Sequence, residues 1–194
     1  MNEVINGVEK IYSFNYTSTF SNFYGAGVPC DYIHGQAGNP KKKIVLGVDF
    51  LRHDLLLDSK VHGFTKYYQK LFNGTDYQFL RGEDRFSDEN KNPADYENSE
   101  VYIWGHSLDE SDKEYLQEIF SYNTSAHGAS MKVVVLYHAD WAREQQLYNL
   151  LHIIKKEKVE AWMKRGWLRF EHMPEIEIDF EKLAELRSLP AVVM

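Results

Sequence analysis

Strands alternating with helices, above all from residue 99 onward, predict an α/β fold with a Rossmann-like, mostly parallel sheet flanked by helices. Two observations carry this. "MKVVVLYHA" (131–139) is a near-continuous apolar run, the pattern of a strand covered on both faces. It lies between two helical patterns: Tyr115, Leu116, Ile119 and Phe120 before it, then Leu147, Leu150, Leu151 and Ile154 after it.

In order, "EKIYSFNY" alternates and is rich in Ile, Tyr and Phe, which predicts a strand. "TSTFSNFYG" carries Phe20, Phe23 and Tyr24 at helical spacing and closes on Gly25. "CDYIHG" reads as a second strand and "KKIVLGVDF" as a third, buried on both faces. "VHGFTKYYQKLF" is a helix that stops at Asn73-Gly74. Residues 81–98 are polar and broken by Pro93, and predict a mobile surface loop.

"SEVYIWGHS" is the fourth strand. Ser111 and Glu114 predict a capping box for the helix after it. Asp140 is expected to cap one long helical stretch running towards Trp162. "GWLRFEHM" is the last strand, and "DFEKLAELRSL" a short helix or a frayed tail. No repeat interrupts the 194 residues, so a single domain over 1–194 is expected.

Composition narrows the function classes. Hydrophobic residues make up 43% and charged residues 26%, as in an ordinary globular protein, so wholesale disorder is excluded. A net charge of −7 argues against general nucleic-acid binding. The basic clusters Lys41-Lys42-Lys43 and Lys155-Lys156 fit strand caps or a solvated face. Cys30 is the single cysteine, so no intrachain disulfide forms. With no leader and no long apolar run, a cytoplasmic protein without membrane contact is expected. Cys30 opens a strand, where a free cysteine is ordinarily a small buried hydrophobe rather than a nucleophile.

In a parallel sheet, ligands bind at the carboxyl ends of the strands. Four such tips carry polar groups: Asn15-Tyr16-Thr17, His34-Gly35, Gly105-His106-Ser107 with Asp109, and His138 with Asp140. Asn15 is either a turn or cap residue, or an amide that holds a ribose or a water. His34 is either a satisfied strand-end histidine or a general base, since imidazole titrates near neutral pH. Gly35 would let a ligand approach the backbone. "GHSLD" begins like a serine nucleophile elbow, but Asp109 stands where the elbow needs Gly. Gly105 and Ser107 can instead hold a phosphate or ribose, while Asp109 and Asp112 favour the helix start. His34, His106 and His138 with Asp140 are ordinary metal ligands, but no short ligand spacing is present and no metal is favoured.

Taken in order, "FNYTSTF", "YIHGQ", "IVLGVDF" and "VYIWGHSLDESDKEYLQEIF" resemble the bacteriophage abortive infection AbiH family, with its N-Y-T, H-G and G-H-S-L-x-x-[ST]-D elements. The resemblance runs from about residue 11 to 124, more weakly through "KVVVLYH". It implies an antiphage defence protein. The element order is also similar to that of sirtuin-like domains, which bind NAD and whose active prokaryotic defence members hydrolyse it. On that likeness Asn15 would position the nicotinamide ribose or the attacking water, and His34 would be the general base. Gly105 and Ser107 would contact the adenosine side, with Tyr16, Thr17, Gly35, His106 and Asp109 completing the cofactor-binding set. NAD would be cleaved at its N-glycosidic bond, stopping host and phage together.

Members of the family open with a strand and an I-G-N-G-F-D loop, which "MNEVINGVEK" does not match. The resemblance therefore implies that the first strand and glycine loop are lacking, and that the chain is the rear part of a longer architecture. Two alternatives stand beside the NAD reading. One is a non-catalytic interaction module completed by a partner chain or a second copy. The other is a metal-dependent hydrolase or nuclease using the strand-end histidines.

Overall fold

The computed structural model describes residues 7–23, 27–47, 65–73, 79, 100–121 and 131–174. The expected loop at 81–98, the tail helix, the start of the "VHGFTKYYQKLF" helix and the last residues of "KKIVLGVDF" lie outside them.

The first unit is β1 (Ile11–Ser13), α1 (Thr19–Phe23) and β2 (Cys30–Tyr32). The two strands pair in parallel, with Ser13 opposite Tyr32. A further bond from Ile33 N–H to Ser13 O carries the pairing to the tips. Asn15 and His34 therefore follow adjacent parallel strand ends, as the sequence predicts.

After α2 (Lys66–Asn73) comes β3 (Glu100–Ile103), then a 3₁₀ turn (Glu110–Asp112), α3 (Lys113–Ile119) and β4 (Lys132–Tyr137). The chain continues through α4 (Asp140–Ile153) and α5 (Lys156–Lys164) to β5 (Leu168–His172). The second sheet has the order β3-β4-β5, both pairings parallel, with Ile103 opposite Val135 and Tyr137 opposite His172. Every strand pairing among the described residues is parallel, so the α/β class holds.

The apolar run of β4 is buried as its composition requires: Val133, Val134 and Val135 are fully covered. One core joins the two sheets. Ile33, which follows β2, shares it with Phe79, Tyr115, Leu116, Val135 and Leu150. Phe120 stacks on Trp162 with ring centroids 4.6 Å apart, which seats α5 against α3.

Four local expectations are corrected. Residues 41–47 form no strand. Val45 is buried while Ile44 and Leu46 on either side are exposed, so of these three residues only Val45 turns inward. This stretch instead folds back beside β2's tip, where Val45 N–H donates to His34 O and Gln36 N–H to Lys42 O.

The long helical stretch is two helices. Ile154 is extended (φ −113°, ψ 129°), and breaking there buries both Ile153 and Ile154, which a continuous helix would turn to different sides. Ala139, not Asp140, is the N-cap residue of α4, and no side chain caps it.

The Ser111–Glu114 capping box does not form. Asp109 caps the 3₁₀ turn instead, accepting from Ser111 N–H at 2.9 Å. At its other end α5 stops at Gly166 (φ +70°): Gly166 N–H reaches Met163 O and Trp167 N–H reaches Trp162 O, turning the chain into β5.

Candidate functional site

The carboxyl tips of β1, β2 and β3 converge on one buried carboxylate. Asp112 ends the 3₁₀ turn and is the N-cap residue of α3, where an Asp side chain ordinarily accepts helix N–H groups. Here it makes no cap bond. It turns inward, where Oδ1 meets His34 Nε2 at 2.9 Å and Oδ2 meets His106 Nε2 at 3.2 Å. The ammonium of Lys66 stands 4.0 Å from Oδ1. A helix cap has been given up for two imidazoles, which marks this carboxylate as more than a helix start.

The tautomers follow from the partners. His106 Nδ1 accepts the backbone N–H of Leu108 at 2.9 Å, so its proton is on Nε2, facing Asp112. His34 likewise gives its Nε2–H to Asp112. Its Nδ1 is buried with no hydrogen-bond partner among the described residues. His34 is 3% exposed, so a bare lone pair sits in a low-dielectric wall.

Burial pushes the pKa of Asp112 up, but the hydrogen bonds from His106 and His34 outweigh it and hold the carboxyl well below the usual carboxylate range. A carboxylate that accepts an imidazole N–H fixes the tautomer and orientation of the ring.

Aromatic rings frame the pair. Phe14 packs edge-on against His34 (5.3 Å), His106 (4.9 Å) and Tyr115 (5.3 Å). Tyr16 lies beside His34 at 6.3 Å and donates its hydroxyl to Val45 O. The loop that delivers His106 is strained. Gly105 has φ +64° and, unusually for a branched residue, Leu108 has φ +56°. Leu108 is fully buried, so the core anchors the loop in a conformation its backbone does not favour.

The remaining expected site residues fall as follows. Asn15 is exposed; Ser13 Oγ contacts its backbone, and its amide makes no hydrogen bond to a described residue. Thr17 is exposed and pairs with Thr19 Oγ1 at 2.8 Å. Gly35 (φ +87°) does give close backbone approach, but to the chain itself: a Cβ there would stand 2.2 Å from Lys43 O. Asp109 is spent on its cap.

Gly105, His106 and Ser107 line a cleft of about 220 Å³ with His138, Trp141 and Gln146. His138 packs against Trp141 at 5.0 Å, away from Asp112. Both His106 nitrogens are engaged, and no group of three or more His, Cys, Asp or Glu among the described residues is placed to hold a metal ion. Burial pushes the Cys30 thiol up, away from thiolate. No described helix is long and apolar enough to cross a membrane.

Asp112 and Gln146 are site residues that the sequence reading passes over, although signals exist. Asp112 closes the G-H-S-L-x-x-S-D element. Gln146 is the one amide in the buried stripe Ala142, Gln146, Leu150, Ile153 of α4.

No curated protein and no solved structure matches the chain. A family model does, that of bacteriophage abortive infection AbiH, over residues 2–137, a stretch that takes in His34, His106 and Asp112. On that match across most of its length, the chain belongs to the bacteriophage abortive infection AbiH family.

Proposed function

We propose that this protein acts in antiphage defence by hydrolysing NAD, or a related nucleotide, at the N-glycosidic bond. The observation that carries the reading is the Asp112–His34 pair, which holds an unpartnered imidazole nitrogen at the carboxyl tips of parallel strands.

In this reading His34 Nδ1 takes a proton from water as the water oxygen bonds to C1′ of the nicotinamide ribose. The C1′–N bond breaks, and its electron pair passes to the pyridinium nitrogen, so nicotinamide leaves neutral. The proton rests on His34 opposite ionised Asp112 and then passes to solvent. Asn15, two residues past β1, orients the water or ribose with its exposed amide. The base and its carboxylate together are of the kind that contribute about 10²–10⁴-fold.

The test is nicotinamide release from NAD by the purified chain. Release that His34→Ala abolishes supports the reading. No release from the wild-type chain, or undiminished release from His34→Ala, overturns it.

A further inference from the structure

We propose that the outward face of α4 is an interface between two copies of this chain, packed antiparallel about a two-fold axis. The interface needs no nucleotide and stands apart from the Asp112–His34 pair.

α4 is apolar on two sides. Ala142, Gln146, Leu150 and Ile153 form its buried stripe. At 3.6 residues per turn, Trp141, Tyr148 and Leu151 fall on the opposite side, together with Glu144, Gln145 and His152. There Trp141 is 66%, Tyr148 59% and Leu151 38% exposed. A helix with apolar residues on both sides has two faces to cover, and the core of this chain covers one. Trp and Tyr are also the side chains that carry most binding energy at protein interfaces. Both rings are already held in place. Trp141 packs edge-on to His138 at 5.0 Å, and Tyr148 lies on His152 at 4.3 Å, whose Nδ1 donates to Tyr148 O. Rings fixed in advance lose little side-chain freedom on association.

Charge names the occupant and its direction. The helix is acidic at its start, with Asp140 and Glu144, and basic just past its end, with Lys155 and Lys156. All four are exposed. Arg143, the one cation of the first two turns, is turned away over the Tyr137 ring at 5.6 Å. Neither Glu144 nor Lys155 has an ion-pair partner among the described residues. Antiparallel packing sets the acidic start of each helix against the basic end of the other, twice over, and lays the two helix dipoles head to tail. A parallel pair would set Glu144 against Glu144 and Lys155 against Lys155. Tyr148 lies between the two charged ends, so it falls near the two-fold axis and meets its own copy. One helix of 14 residues, about 21 Å long, gives a small interface, so the dimer is weak and concentration-dependent.

The test is sedimentation equilibrium of the full chain over a concentration series. The wild-type chain is expected to show a monomer–dimer equilibrium. Tyr148→Ala should raise its dissociation constant by at least about fivefold. Glu144→Lys and Lys155→Glu should each raise it by at least about threefold. The double variant Glu144→Lys/Lys155→Glu should recover wild-type association, because the swap restores both opposite-charge pairs. These three side chains are exposed, so the variants leave the core intact.

A chain that stays monomeric up to about 1 mM, where even weak pairs form, overturns the interface, whatever other protein or segment then covers the face. A dimer indifferent to Tyr148→Ala, or one that the charge swap does not restore, overturns it too.

Discussion

Asp112→Asn should destabilise the protein by about 3 kcal/mol, and the figure follows from the two imidazoles. The carboxylate is an acceptor at both oxygens, receiving Nε2–H of His34 at 2.9 Å and of His106 at 3.2 Å. An asparagine keeps one acceptor and replaces the other with an NH₂ donor. His106 cannot adapt by switching tautomer, because its Nδ1 is taken by the Leu108 N–H, so the amide oxygen faces His106 and the NH₂ faces His34. One charge-assisted bond, about 1.5–3 kcal/mol, is lost, and one buried N–H is left unpaired at a further ~1–3 kcal/mol, either against His34 Nε2–H or as His34 Nδ1–H once that ring switches tautomer. The sum agrees with the ~3–5 kcal/mol typical of breaking a buried ion pair from one side.

For a chain of 194 residues this lowers Tm by roughly 6–12 °C. Urea unfolding followed by circular dichroism reads the midpoint at unchanged slope, and ¹⁵N NMR of the imidazoles reads the tautomers. A loss under about 0.5 kcal/mol, or a wild-type His106 protonated on Nδ1, would refute the reasoning.

Four further outcomes follow from the same structure. Asp112 has its pKa held low in the folded state, so between its unfolded value of about 3.9 and its folded value the unfolded chain binds the proton and the folded chain does not. Its stabilisation is complete above about pH 4 and lost as pH falls below it, so the stability gap between wild type and Asp112→Asn should narrow in urea titrations taken below pH 4. Gly35→Ala should be far more damaging than Gly105→Ala in thermal melts. Both residues have positive φ, costing about 1–2 kcal/mol, but only at Gly35 would the new Cβ strike backbone, at Lys43. Leu150→Ala, in a fully buried position of α4, should cost about 2–5 kcal/mol by chemical denaturation. Trp141→Ala should stay within about 0.5 kcal/mol of wild type, since its indole lies largely in solvent.

The parallel α/β class was readable in advance because burial on two faces leaves a continuous apolar run, and β4 has one. The neighbouring tips of β1 and β2 were readable too, since each strand is short and ends in polar residues. Periodicity was less informative where one residue decides the outcome. "KKIVLGVDF" has a strand's composition, yet only Val45 of Ile44, Val45 and Leu46 is buried, and Gly35 lets that stretch fold back against the tip of β2. Ile153 and Ile154 both belong to an apolar run, and only the packing of two helices buries both.

The site divides along the same line. Residue order along the chain was enough to place His34 and His106 just past strand tips, because strand ends and short motifs are local features. Asp112 could be read locally only as a helix cap, since its partner His34 is 78 positions away. Whether such a carboxylate caps its own helix or turns to distant imidazoles depends on where two sheets meet. The same holds for Gln146, whose amide is oriented by carbonyls of β4 and of the loop after β3. Local pattern sets which groups are available. Long-range packing sets which lone pairs are satisfied and which are left without a partner among the described residues.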